Sequence, residues 1–197
     1  MHCMAESATR RGRRTTERRI VEAAQQLADE RGGLDGFTMD ELAVAADVSR
    51  RTLFNYFPSK VDAVMGPELA IPAPALETFL AGGPSGDMIE DLQALVLAIL
   101  HDEEIEAAAL ARFDRLIHAN PVLLAVMKQR FHRLAERVID AAVERSGGAV
   151  PARDARIAVA VLGGVADVAI SDYLQDPDLD FAELYVSAIA SVRRLFG

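Results

Sequence analysis

The stretch Thr38-Met39-Asp40-Glu41-Leu42-Ala43-Val44-Ala45-Ala46-Asp47-Val48-Ser49-Arg50-Arg51-Thr52-Leu53-Phe54-Asn55-Tyr56-Phe57-Pro58 decides the fold of this chain. Thr38 followed three residues later by Glu41 has the form of a capping box. The threonine oxygen meets the amide of Glu41, and the glutamate returns to the cap amide. This spacing predicts a short helix that ends near Ala45 or Ala46. Ser49 is a second N-cap, with Val48 and Leu53 placed to staple it, and it opens a third helix from Arg50 to about Phe57, closed by Pro58. Two short helices joined by the tight turn Ala46-Asp47-Val48 match helix-turn-helix geometry, in which the second helix lies in the DNA major groove.

What that second helix displays supports the same reading. Residues advance about 100° each around a helix, so Leu53 and Phe57 share one face and point to a core. Arg51 and Asn55 then fall on the opposite side, with Thr52 and Phe54 flanking and Arg50 on the first turn. Arginine reads guanine in a bidentate fork, asparagine pairs with adenine, and a threonine methyl or an aromatic ring meets a thymine methyl. No acidic residue occurs from Val48 to Lys60. Neighbouring phosphates would be met by Tyr56, Lys60, Thr38 and the arginines of residues 10–19, among them Arg13 and Arg14; such contacts position a protein without specifying sequence. Ser49 belongs to the same candidate surface.

Outward from this pair, Ile20, Ala24 and Leu27 recur at helical spacing from Thr15 to Arg31, with Thr15 or Thr16 as cap and Gly32-Gly33 as stop. A fourth helix starts at Pro58 or Ser59 and is interrupted by Gly66-Pro67. The Pro- and Gly-rich stretch from Pro67 to Gly86 reads as connector with one brief helix near Leu76–Leu80. Helices are then predicted at about 85–101, 103–119, 121–146, 151–175 and 180–196, marked by Asn120-Pro121 as cap and first turn and by Gly147-Gly148 as stop. No stretch shows sustained strand alternation. The expected architecture is all-α: a basic N-terminal arm over 1–14, a three-helix head over 15–65, and a larger helical body over 66–197.

Composition and charge narrow the function. The 197 residues are 51% hydrophobic and 26% charged, with one cysteine, which fits a globular chain without an internal disulfide and a cytoplasmic setting. The formal net charge of −9 argues against nucleic acid as a partner until it is divided along the chain. Residues 1–65 hold ten Lys/Arg against ten Asp/Glu, and residues 66–197 hold 11 against 20, so the whole deficit lies in the second part. Residues 10–19 carry six Arg and one Glu. Any contact with a polyanion therefore belongs to the N-terminal part. The apolar run from Ile157 to Ile170 is interrupted by Asp167 and falls short of the ~20 residues that span a bilayer, so no membrane partner is expected.

The segments Phe37–Ala43 and Val48–Lys60 closely resemble the TetR family of bacterial transcriptional regulators, within a matching stretch of about residues 15–65. The resemblance implies a three-helix DNA-binding head, a helical ligand-binding and dimerisation body, and a repressor released by a small molecule. By position, Arg50, Arg51, Thr52, Asn55 and Tyr56 fall on recognition-helix contacts, and Thr38 and Lys60 on backbone contacts. Phe54 stands where the family often has tyrosine, which removes a hydroxyl contact to phosphate. Asp47 replaces the usual turn glycine, and aspartate tolerates left-handed backbone better than most residues.

The last two predicted helices are apolar on more than one side, through Ile157, Val161, Val165 and Val168 and then Phe181, Val186 and Ile189. They are expected to build a homodimer interface whose two-fold would match a pseudo-palindromic operator in double-stranded DNA. Candidate effector-lining residues are Phe113, Leu116, Ile117, His118, Leu124, Met127 and Phe131, although each also suits an ordinary core. Arg112 and Arg115 would pair with Asp102, Glu104, Glu106 or Asp114. The pairs Asp114/His118 and His132/Glu136 could each share a metal, but two ligands per helix without a third favour surface ion pairs. No phosphate-binding loop, nucleophile elbow, cofactor motif or catalytic constellation is present in the sequence, so no enzyme is expected. A DNA-binding protein without an effector, gated by a protein partner or constitutive, and a helical binding or enzyme module are the alternatives.

Overall fold

The computed structural model describes residues 2–101 and 107–196, with side chains from Gly12 to Leu100 and from Ala107 to Leu195. Those residues contain α-helices and one 3₁₀ turn but no strand. The helices are α1 (His2–Glu30), α2 (Met39–Ala45), α3 (Arg50–Tyr56), α4 (Lys60–Met65), α5 (Ala73–Leu80), α6 (Met88–His101), α7 (Ala107–Ala119), α8 (Pro121–Arg145), α9 (Ala152–Gln175) and α10 (Phe181–Phe196). The all-α architecture expected from the sequence is present.

Two compact units divide the chain: residues up to Glu68 with Ala108–Lys128, and Leu69–Ala107 with Gln129 onward. The first differs from a head limited to residues 15–65. Leu116, Ile117 and Leu123 are buried in one core with Ile20, Ala24, Phe37, Leu42, Leu53, Phe57 and Val64. Helix α7 and the first turns of α8 thus pack with the head rather than with the remainder of the body.

Helix α1 also departs from expectation. Its start at His2 precedes Thr15, so the basic arm is a continuation of the first helix and not a separate segment. Arginine is a good helix former, and the one glycine in this region, Gly12, costs only about 1 kcal/mol in a helix interior. Thr16 donates its hydroxyl to the Gly12 carbonyl at 3.1 Å, the bond of a residue inside a helix rather than of a cap. Arg10 and Arg11 lie outside the described side chains.

In the second unit, Phe79, Leu92, Leu95, Ile99, Val138, Ile139, Leu162, Val165 and Tyr185 form the core. One charged pair is enclosed there. Asp91 is 1% exposed. Its carboxylate accepts the amides of Ser85 and Gly86 and the guanidinium of Arg145, which also lies over the Phe79 ring at 4.7 Å. These bonds tie the loop before α6 into an irregular turn, so α6 begins at Met88 and not at Ser85. The amides of Ile89 and Glu90, on its first turn, both bond the Asp87 carboxylate at 2.9 Å.

Helix α9 is longer than the apolar run read from the sequence. At 24 residues it is long and apolar enough, by length and composition, to cross a membrane, with a mean hydropathy of 1.7 over its most apolar 18 residues. One side, however, packs on protein through Ala155, Leu162, Val165, Ala166 and Ala169, and Asp154, Asp167 and Asp172 are spaced along it.

Burial raises the proton affinity of the Asp91 carboxyl, but the bonds from Ser85, Arg145 and Gly86 outweigh this and hold it below its ordinary value of 3.8. A depressed carboxyl contributes stability that is present above the unfolded value and is lost as pH falls through the folded one. Asp91→Asn should therefore cost about 3 kcal/mol at neutral pH, because Arg145 is left buried and uncompensated. The cost should shrink as the wild type is acidified below about pH 4. Urea unfolding of both proteins across pH 3–7 measures this, and equal stability at neutral pH would contradict it.

Candidate nucleic-acid interface

The first unit is organised around two caps and a turn. Thr38 Oγ1 accepts the Glu41 amide at 3.2 Å, and Glu41 Oε2 accepts the Thr38 amide at 2.8 Å, so the capping box forms as read. Arg31 donates to Glu41 at 2.7 Å. This hydrogen bond, followed by those from Thr38, lowers the Glu41 carboxyl to about 2. Ser49 Oγ accepts the Thr52 amide at 3.0 Å and starts α3. Between the helices Asp47 adopts φ 49°, the left-handed conformation for which glycine is the commoner choice. Its carbonyl accepts Arg19 Nη2 at 3.0 Å, which ties the turn to α1.

Leu53 is fully buried and Phe57 nearly so, which turns the other side of α3 outward. Arg51 and Asn55 are exposed and make no hydrogen bond or ion pair among the described residues. Thr52 and Phe54 flank them, the first half-buried with its hydroxyl 2.8 Å from Ser49 Oγ and the second exposed. Arg50 is exposed but engaged. Its guanidinium contacts the Asp40 carboxylate through Nε and Nη1, both at 3.2 Å, and its carbon Cζ stands 5.6 Å from the Phe54 ring centre.

The residues expected to meet phosphate divide in two. Arg13 and Arg14 are exposed on α1, and the Arg13 guanidinium lies over the half-buried Tyr56 ring at 5.7 Å. Lys60 has an internal duty: its ammonium donates to the carbonyls of Leu34 and Phe37 at 2.7 and 2.9 Å and faces the Phe37 ring. Two of its three protons are thereby committed to the fold. Thr38 likewise donates its hydroxyl to Glu41, and Ser49 acts as a cap. These three residues make bonds within the fold, and Arg51 and Asn55 are left to present unengaged donors and acceptors outward.

The candidate effector residues are placed differently from one another. Leu116 and Ile117 are buried in the head core, and Phe113, Leu124 and Met127 pack against it. His118 is exposed, with Nδ1 2.9 Å from the Asp114 carbonyl and 3.3 Å from its carboxylate, and Phe131 is exposed in the second unit. The seven residues thus form a packed core plus two surface positions. No group of three or more potential metal ligands occurs among the described residues. Glu136 stands 3.9 Å from Arg156. Arg115 pairs with Asp29 of α1 at 3.0 Å rather than with Asp114; Asp102, Glu104 and Glu106 lie outside the described residues. Sequence reasoning missed the Asp40–Arg50 and Arg115–Asp29 pairs, because their partners are ten and 86 residues apart with no local spacing rule to join them.

Comparison with known proteins agrees with this geometry. The family described as bacterial regulatory proteins, tetR family, matches residues 20–62, which span the end of α1 through α4. The HTH-type transcriptional regulator TcmR of Streptomyces glaucescens is 31% identical over 202 aligned residues, covering 93% of this chain and 85% of that protein. MftR of Mycobacterium tuberculosis, named as a candidate mycofactocin biosynthesis transcriptional regulator, is 28% identical over 179 residues, covering 90% of this chain and 89% of its own. The crystal structure of a candidate TetR-family regulator from Mesorhizobium loti shares the fold, with a TM-score of 0.54 at 23% identity over 91% of this chain and 94% of that one. A helix-turn-helix with two unengaged polar side chains on its outer face, the family match over residues 20–62 and the similarity to named regulators over most of their length place this chain in the TetR family of bacterial DNA-binding transcriptional regulators.

Proposed function

We propose that the protein is a homodimeric repressor that reads a pseudo-palindromic operator in double-stranded DNA through α3 of each copy and is released by a small molecule. The observation that carries the DNA reading is the outward pair Arg51 and Asn55 on an acid-free segment, one able to fork onto guanine and the other onto adenine. Arg13 and Arg14 on α1 supply sequence-independent attraction to phosphate. A DNA operator sets its work in the bacterial cytoplasm.

The homodimer reading rests on α9 and α10. Ile157, Val161 and Val168 of α9 are 51, 45 and 52% exposed, and Ala160 and Gly164 are exposed on the same face. Val186 of α10 is 57% exposed. A contiguous apolar face of this kind on a soluble protein marks an interaction surface, and a second copy closes it with two-fold symmetry.

The effector reading rests on the family and on two buried groups of the second unit. Arg145 Nη1 and Tyr185 Oη have no hydrogen-bond partner among the described residues. Buried polar groups usually have one, and an acceptor on a small ligand would serve. Ligand and DNA would then favour different states of the protein, so that each weakens the other.

Three outcomes follow. Arg51→Ala should cost about 1–3 kcal/mol on the selected operator and relax base choice at one position per half-site, in binding that weakens steeply with salt; equal affinity for all duplexes would reject specific reading. Ile157→Glu with Val168→Glu should convert a dimer to a folded monomer in sedimentation, and an unchanged mass would reject the α9 interface. A compound that releases the operator should bind the DNA complex less tightly than it binds unliganded protein. Equal affinities in paired titrations would favour a regulator without small-molecule input.

A further inference from the structure

Arg50 is the only residue of α3 whose charged group is held by two side chains that flank it. Asp40, the second residue of α2, contacts Nε through Oδ1 and Nη1 through Oδ2, both at 3.2 Å. Phe54, one turn further along α3, lies beneath the guanidinium at 5.6 Å. All three groups are exposed, so the arrangement adds little to folding stability: exposed ion pairs are worth about 0–1 kcal/mol. A surface pair with so small a stabilising effect still biases orientation.

The stereochemistry of the guanidinium defines which orientation. It carries five N–H donors in one plane. Asp40 accepts a hydrogen of Nη1 through Oδ2, its Oδ1 stands near Nε without taking the Nε–H, and Phe54 limits rotation of the plane. The edge on the other side, with the Nε–H and the nearer N–H of Nη2, is bonded by no described residue. That edge is the fork that matches O6 and N7 of guanine in the major groove. Arg51, by contrast, has no partner to set its plane among the described residues.

We propose that Asp40 is a specificity-determining positioning residue: together with Phe54 it presets the Nε/Nη2 fork of Arg50 for one guanine of the operator. This rests on the DNA reading given above. The carboxylate has opposite effects on the two kinds of binding. Near phosphates it repels DNA of any sequence, yet once the groove closes over Arg50 it holds the fork in register. Preorganisation lowers the ordering cost of binding the correct base, and a wrong base gains nothing from it.

The test starts from the full-length protein and a randomised duplex library, which yields the preferred sequence, followed by every single-base-pair variant of it. Arg50→Ala identifies the base pair that Arg50 reads. Asp40→Asn keeps the shape and the helix start and removes the charge. It should reduce discrimination at that base pair by roughly twofold to fivefold, with no change at the others, while affinity for unrelated duplex stays equal or rises. Phe54→Leu should reduce discrimination at the same position, and Asp40→Asn should have no further effect there in the Arg50→Ala background. Asp40→Glu, which keeps the carboxylate, should restore part of the discrimination. Circular dichroism and melting of each variant should match the wild type. The proposal is overturned if Asp40→Asn leaves preference at that base pair intact, or if it weakens all duplexes equally. A wild-type protein without any base preference would overturn the DNA reading itself, a result separable from failure of the Asp40 proposal.

Discussion

Burial of Leu53 and Phe57 beneath α3 is the constraint on which the candidate DNA-binding surface depends. Each such side chain is worth about 1.5–3 kcal/mol when removed from water. Together with Leu42, Ala46 and Phe37 they fix the rotation of α3 about its own axis. A helix of seven residues has almost no stability alone, so its orientation is set by packing rather than by propensity. Once that rotation is fixed, Arg51 and Asn55 have nowhere to point but outward. The caps at Thr38 and Ser49 and the left-handed Asp47 determine where α2 ends and α3 begins.

Around that centre, polar groups act as fasteners whose value lies in geometry. Arg19 holds the carbonyl of the turn, Lys60 holds two carbonyls of the segment before α2, and Gln25 donates to the Val64 carbonyl at 3.1 Å between α1 and α4. Each joins elements distant in sequence with one long side chain. The second unit repeats the device with higher stakes, since Asp91 and Arg145 are removed from solvent and neither is tolerable there without the other.

Most of the layout was legible because it is written in local signals. The capping box, the Ser49 cap, Pro58, Asn120-Pro121 and Gly147-Gly148 all act within a turn of where they stand, and the helices they bound lie where expected. What the sequence hid is what depends on distant partners. The late start of α6 requires Asp91 to reach back to Ser85 and Gly86. The grouping of α7 with the head requires Leu116 and Ile117 to find Leu53 and its neighbours. The backward extension of α1 was hidden for the opposite reason: nothing between His2 and Thr15 stops a helix, and a threonine pair invited a cap that was not needed. In the site, the faces of α3 followed from period alone. The internal role of Lys60 did not, because a lysine near a helix start reads equally well as a phosphate contact.

The exposed stripe on α9 has a consequence for dosage. If, as proposed, two copies cover it and span two half-sites, the competent species at low abundance scales with the square of the number of chains per cell. A modest change in synthesis or turnover of this one polypeptide would then move promoter occupancy more than proportionately. On that proposal the same exposed valines would give the circuit a threshold.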